Sequence, residues 1–329
     1  MLNEMTRIRA VVPVLLIGLL LIPVVVHAQV NRRLALDYLN RGTSEMDAGN
    51  LNAALAHFER AIELDPGYGA SYFSRGLVRK RLLDLDGAIS DFTRSIKLKP
   101  IAEAYLNRGA TLKDQGDPDA AIADYNKAIE MKPDYADAFY NLGIARDHKG
   151  DLDGAIRDFT RAIELNPTHA RALVGRGFSH MKKGDVDRAL ADYSKGIELN
   201  PLGFNGFYNR AFARKSKGDL EGAIADLNKA IEINREYVDA WHERALLRGA
   251  RGDLDGSLAD YGKVIELDPR HARAYANRGM VLLLRRQDAE AQKDFTTAIE
   301  LDRSLKSTLE KSVEQIINTR PQRSLTRSP

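Results

Sequence analysis

Cysteine is absent from the 329 residues, which removes disulfides, thiol nucleophiles and thiolate metal sites together. The short patterns that announce catalysis are missing as well. No glycine-rich phosphate loop, HExxH, nucleophile elbow or dinucleotide fingerprint occurs, and the serines occupy no recognised nucleophile setting. Nor is there a strong charge of one sign: 49 Lys and Arg stand against 46 Asp and Glu. That excess is too small to suggest a nucleic-acid partner, and it sits locally, from Arg303 onward, in Arg303, Lys306, Lys311, Arg320, Arg323 and Arg327. The histidines are scattered. His148, His169 and His271 read as surface groups, and the His242-Glu243 neighbours of Trp241 point different ways on a helix, so they form no metal pair. No enzyme, cofactor or metal is expected.

Long apolar runs are also scarce, with one exception, Ala10 to Val26. Arg7 and Arg9 precede it, and Val26-His27-Ala28 supplies small residues around a cleavage point, the three-part layout of an export signal over residues 1–28. Pro23 favours cleavage, since it breaks a helix where a peptidase needs extended chain. The alternative is an uncleaved anchor, because the run reaches the lower end of the ~17–25 residues that span a bilayer. Arg32 and Arg33 behind it leave its orientation less defined.

What is present is one unit, repeated. A small residue recurs at Gly42, Gly76, Gly109, Gly143, Gly177, Ala211, Ala245 and Gly279, 34 residues apart except where one residue is missing after Pro100. A second small residue follows (Ala54, Ala88, Ala121, Ala155, Ala189, Ala223, Ser257, Ala291), and four further on comes Phe58, Phe92, Tyr125, Phe159, Tyr193, Leu227, Tyr261 or Phe295. Two apolar stripes at helical spacing are divided by a Gly-Asp turn such as Gly150-Asp151 and closed by proline at Pro66, Pro100, Pro133, Pro167, Pro201 and Pro269. This describes a helix hairpin. Asp caps the second helix, proline ends the unit, and small residues let two backbones approach around the aromatic. Neither helix buries its stripe alone, so hairpins must stack.

Tyr38, Gly42, Ala54, Phe58, Ala61 and Pro66, with their later equivalents, resemble the signature of the tetratricopeptide repeat. The resemblance covers roughly Ala35 to Leu305, and residues 29–304 are assigned to eight repeats starting near 35, 69, 102, 136, 170, 204, 238 and 272. It implies an all-α, right-handed superhelical solenoid of antiparallel hairpins whose first helices line a concave groove. Departures are Arg235 and Arg303 in place of the closing proline, and Leu83-Asp84 and Arg286-Gln287 in place of the Gly-Asp turn. Carried over by position, the candidate partner groove includes Phe73, Lys80, Arg81, Lys113, Tyr140, Asp147, His148, Phe178, Lys182, Tyr208, Phe212 and Lys215. Aromatics among both charge signs suit an extended peptide or a partner helix. Some family members clamp a terminal carboxylate with Lys and Asn, but Leu39 and Thr43 stand where that clamp would begin, so an acidic C-terminal peptide is not expected.

Arginine precedes the small residue in seven units, and an acidic residue lies 16 positions later. Six units carry both: Arg75 and Asp91, Arg108 and Asp124, Arg176 and Asp192, Arg210 and Asp226, Arg244 and Asp260, Arg278 and Asp294. A basic ladder for an acidic ligand would use the arginines; the favoured reading pairs each internally with its own aspartate. Leu142 replaces the arginine in the fourth unit and leaves Asp158 without that partner. After the repeats, Leu305, Leu309, Val313, Ile316 and Ile317 recur at helical spacing, so residues 305–318 are expected to cap the stack, with partner binding the alternative role. The basic tail, 319–329, is expected to be disordered.

The expectation is a noncatalytic protein-interaction scaffold, exported to the periplasm or beyond, that takes a protein or peptide partner in its groove. It touches a membrane only through residues 10–26, and only if that segment is retained. A membrane-anchored structural or assembly factor of an envelope complex is the first alternative. A regulatory subunit of an enzyme is the second.

Overall fold

A computed structural model describes residues 29–319; the expected signal, 1–28, and the expected tail, 319–329, lie outside the described residues, save Thr319, which ends the last helix instead. Among the described residues every regular element is helical, and no helix is long and apolar enough to cross a membrane. Contacts along the chain divide it into two compact units, the first ending at Pro167 and the second beginning at Thr168.

The first unit holds four hairpins: α1 (29–47) with α2 (Leu51–Leu64), α3 (Gly69–Arg81) with α4 (Leu85–Leu98), α5 (Ala102–Gln115) with α6 (Pro118–Met131), and α7 (Ala136–His148) with α8 (Leu152–Leu165). The second unit holds four more: α9 (Ala170–Lys182) with α10 (Val186–Leu199), α11 (Phe204–Ser216) with α12 (Leu220–Ile233), α13 (Val238–Ala250) with α14 (Leu254–Leu267), and α15 (Ala272–Leu284) with α16 (Asp288–Leu301). A 3-10 turn, Arg303–Leu305, then leads into α17 (Lys306–Thr319).

The turn inside each hairpin follows from two adjacent residues. Gly150 adopts φ +82°, a left-handed conformation that carries no steric cost only in glycine, and it ends α7. Asp151 then accepts a hydrogen bond from the Gly154 N–H at 2.9 Å and starts α8. The same cap recurs at Asp84, Asp117, Asp185, Asp219 and Asp253. Where glycine is missing the turn keeps its shape: Leu83 and Arg286 are held at φ 64° and 62°. Stacking imposes this conformation against the residues' own preference, at a cost of about 1–2 kcal/mol each.

Within a hairpin, the aromatic of the second helix lies on the small residue of the first. A Cβ added at Gly76 would stand 2.8 Å from Phe92 Cε1, so the ring reaches the α3 backbone only because that side chain is absent. Phe92 is fully buried, which contributes roughly 1.5–3 kcal/mol. Each second helix also packs on the first helix of the next hairpin, α4 on α5 and α6 on α7 in the first unit, α10 on α11 and α14 on α15 in the second. The closest pairs of first helices touch one another as well: α3 with α5 and α5 with α7, then α9 with α11 and α13 with α15.

Candidate functional site

Because first helices approach one another within each unit, the residues on that side form an inner face. In the first unit it is largely occupied by contacts of its own. The Phe73 ring lies 5.8 Å from Phe92 and Tyr140 lies 5.9 Å from Phe159, each covering a buried aromatic of its hairpin. Lys80 and Lys113 converge on Asp114, at 3.5 and 3.0 Å. Arg81 donates to the Met46 carbonyl, 3.3 Å away at the end of α1. Asp147, expected to face a ligand, is instead 5% exposed, because α7 turns that carboxylate into the stack; His148 beside it is exposed.

The second unit offers more. Phe178 is 45% exposed, with Lys182 Nζ 5.5 Å from its ring centre. On α11 the rings run in a chain: Phe204 to Tyr237 at 4.9 Å, Tyr237 to Tyr208 at 4.9 Å, Tyr208 to Phe212 at 5.0 Å, all edge-on. Burial first, and then Tyr237, push the Tyr208 hydroxyl well above its ordinary pKa. Lys215 bonds Glu243 at 3.1 Å and lies 5.6 Å from the Phe212 ring, adding charge at the rim. Sequence reasoning found Tyr208 and Phe212 but missed Phe204, Tyr237 and Glu243. A signal was available for Tyr237, since Tyr68 and Tyr135 share its place at the end of their units.

The arginines before the small residue are engaged elsewhere. All six spaced pairs are bidentate, Arg Nε and Nη2 donating to the two carboxylate oxygens at 2.6 to 2.9 Å. Hydrogen bonds to Asp91, Asp124 and Asp294 hold Arg75, Arg108 and Arg278 above the usual arginine pKa. The third nitrogen reaches back across the stack: Arg108 to Thr93 at 3.0 Å, Arg210 to Ser194 at 3.2 Å, Arg244 to Asn228 at 2.7 Å. A second arginine, one turn later, joins in three hairpins, Arg79 on Asp91, Arg214 on Asp226 and Arg248 on Asp260, each at 2.9 Å.

That second arginine also serves Asp158, which lacks the partner that Leu142 replaces. Arg146, one helical turn beyond Leu142, donates to Asp158 at 2.6 Å, so the carboxylate is paired after all. One guanidinium offsets burial only in part, and the Asp158 pKa is pushed up to about 6. The histidines need a correction. His169 is 7% exposed, and its Nδ1 accepts the Ala172 N–H at 3.1 Å, capping α9; His271 caps α15 in the same way through Ala274. Both follow the closing proline at the place where a helix start needs an acceptor. His271 also stacks on His242, 5.1 Å away. No group of three or more metal-ligating side chains occurs among the described residues.

Family models described as tetratricopeptide repeats match residues 35–68, 106–170, 149–202 and 242–305, and one described as a TPR repeat matches 213–250. Tetratricopeptide repeat protein 36 of Danio rerio is 36% identical over 58 residues, 18% of this chain and 31% of that protein, so the chain spans under a third of that curated relative. Among solved structures, a tetratricopeptide repeat protein from Parabacteroides merdae superposes with a TM-score of 0.60 at 18% identity, covering 76% of this chain and 99% of that one. The APC/C hetero-tetramer Cut9-Hcn1 gives 0.61 at 14% identity, covering 85% of this chain and 55% of that one. Both are likenesses of fold.

Proposed function

Because the chain belongs to the tetratricopeptide repeat family, we propose that it works without catalysis, as a protein-interaction scaffold whose partner segment lies on the inner face of the second unit. One observation carries this choice of face. The Phe204, Tyr237, Tyr208 and Phe212 rings form a continuous cluster with Lys215 at its edge, and the exposed Phe178 with Lys182 extends the same inner register on α9. Rigid aromatics at a polar rim supply contact area at little entropic cost, the composition of an interface centre. The bidentate pairs leave their arginines little capacity for an acidic ligand, so recognition falls to the rings.

The partner is a protein or peptide, and the chain meets it outside the cytoplasm. Support for that location is the layout of residues 1–28, with its basic start, apolar run and small residues around Ala28. A retained segment 10–26 would make the same scaffold membrane-anchored. A mature chain whose measured mass begins at Met1 would decide for the anchor.

A photo-crosslinking residue in place of Phe178 tests the face, with the same residue at the exposed Lys127 on α6 as control. Adducts are expected at position 178 and not at 127, and Tyr208→Ala with Phe212→Ala should reduce their yield at least tenfold, as loss of an aromatic anchor costs about 2 kcal/mol. Equal adduct yields from both positions, or indifference to the double substitution, would sink the assignment.

A further inference from the structure

The last hairpin departs from the others on its inner register. The fifth residue of the first helix is large in six hairpins, Phe73, Leu106, Tyr140, Val174, Tyr208 and His242, and in the eighth it is Ala276. The space so opened is where α17 comes down. Leu309, 7% exposed, and the half-buried Val313 and Ile316 join Ala276, Met280 and Leu283 in one apolar cluster. The seating is of a particular kind. Elsewhere the first helix of a following hairpin packs chiefly on the second helix before it, whereas α17 packs on α15 and leaves the 3-10 turn to rest on α16. The fit is incomplete, since a cavity of about 300 Å³ remains between α15 and α17, lined by Arg273, Asn277 and Met280 on one side and by Thr308, Leu309 and Ser312 on the other. A small residue beside a flexible Met makes an adaptable surface, and a helix held through few fully buried residues exchanges readily.

We propose that the inner register of α15 is a helix-binding seat, occupied in cis by α17, and that it accepts in exchange an amphipathic partner helix with apolar residues at the spacing of Leu305, Leu309 and Val313. The occupant seen in the seat defines the chemistry of its competitor: an i, i+4, i+8 apolar stripe on a helix about four turns long, flanked by both charge signs as in Lys306, Glu310, Lys311 and Glu314. This inference rests on the inner face being the binding face. It adds that one end of that face is closed until a partner helix displaces α17.

The test uses the full chain and a fluorescent synthetic peptide of residues 303–319. Leu309→Asp should release α17, and the peptide should then bind at least tenfold more tightly than to the unaltered chain. Adding Ala276→Phe, which restores the bulk of the other hairpins, should return binding to background. Ala276→Phe alone should raise amide exchange in α17 at least tenfold while α15 and α16 stay protected. Equal peptide affinity for the unaltered and Leu309→Asp chains overturns the proposal, as does loss of protection throughout α15 and α16 in both variants, because α17 would then be a structural part of the hairpin. Crosslinking at position 178 involves neither α17 nor α15. Its persistence alongside failed peptide exchange sinks this inference alone, and its loss with exchange intact sinks the choice of binding face.

Discussion

The fourth and seventh hairpins share one plan and treat a buried carboxylate differently. In the seventh, Asp260 is 1% exposed and takes hydrogen bonds from both Arg244 and Arg248. In the fourth, Asp158 is 7% exposed and takes one from Arg146, because Leu142 stands where Arg244 would be. The carboxyl with one guanidinium titrates at about 6, above its ordinary 3.8, since desolvation outweighs the single pair. Arginine before the small residue is therefore more than decoration of the repeat: it compensates for taking an aspartate out of water. Leu142 trades that compensation for apolar packing beside Leu106 and Tyr125.

The largest effect should come from stripping the seventh hairpin of its acid. Asp260→Ala leaves two guanidinium groups in a buried site and is expected to cost about 3–5 kcal/mol, read as a lower denaturant midpoint. A loss under about 1 kcal/mol would mean that the pairs contribute little and that the two hairpins differ only in appearance.

Next in size is the pH response of the fourth hairpin. The folded pKa of Asp158 lies above its unfolded value, so folding favours the protonated acid. Its favourable contribution is therefore fully present below about pH 4 and lost as pH rises through about 6. Asp158→Asn carries no such charge, so between pH 4.5 and 7.5 the variant should gain on the natural chain by on the order of 2 kcal/mol in parallel denaturation series. A difference that stays constant with pH would show that Arg146 already compensates the charge.

The finest test converts one hairpin into the other. Leu142→Arg should bring the Asp158 titration midpoint down by at least one unit, followed by carboxyl NMR, and should add about 1 kcal/mol at neutral pH. If the midpoint stays near 6, burial rather than the missing arginine sets the difference between the hairpins.

Much of this was open to reading beforehand, and the boundary is physical. Helix stripes, Gly-Asp turns and the Arg to Asp spacing are local or fall within one hairpin, where a fixed offset determines who can meet whom. Asp158 lacks the partner 16 residues before it, and its donor follows a second offset: Arg79, Arg146, Arg214 and Arg248 recur 12 residues before their aspartates. His169 and His271 looked like surface groups because capping depends on where the preceding turn leaves the ring. The repeat register marks Leu83 and Arg286 as turn positions, but their left-handed conformation opposes intrinsic preference, so only packing reveals it. The ring chain from Phe204 to Phe212 draws on two hairpins, and α17 on α15 joins segments that no repeat pattern relates.

The backward reach of Arg108, Arg210 and Arg244 bears on how such a chain can change length. Each finds a hydroxyl or amide just after the large buried residue of the second helix before it, Thr93 after Phe92, Ser194 after Tyr193 and Asn228 after Leu227, and the sequence offers equivalents at Asn126, Thr160 and Thr296. A hairpin copied or removed whole would set an arginine against another such acceptor wherever both are present; Leu142, which replaces the arginine, and Gly262, which has no side chain to accept, are exceptions. Loss of part of a hairpin would leave a guanidinium facing the wrong side of a helix. Growth and shrinkage within a hairpin are thus favoured in whole steps of 34 residues, while the loop between hairpins accepts a smaller change, as the residue missing after Pro100 shows.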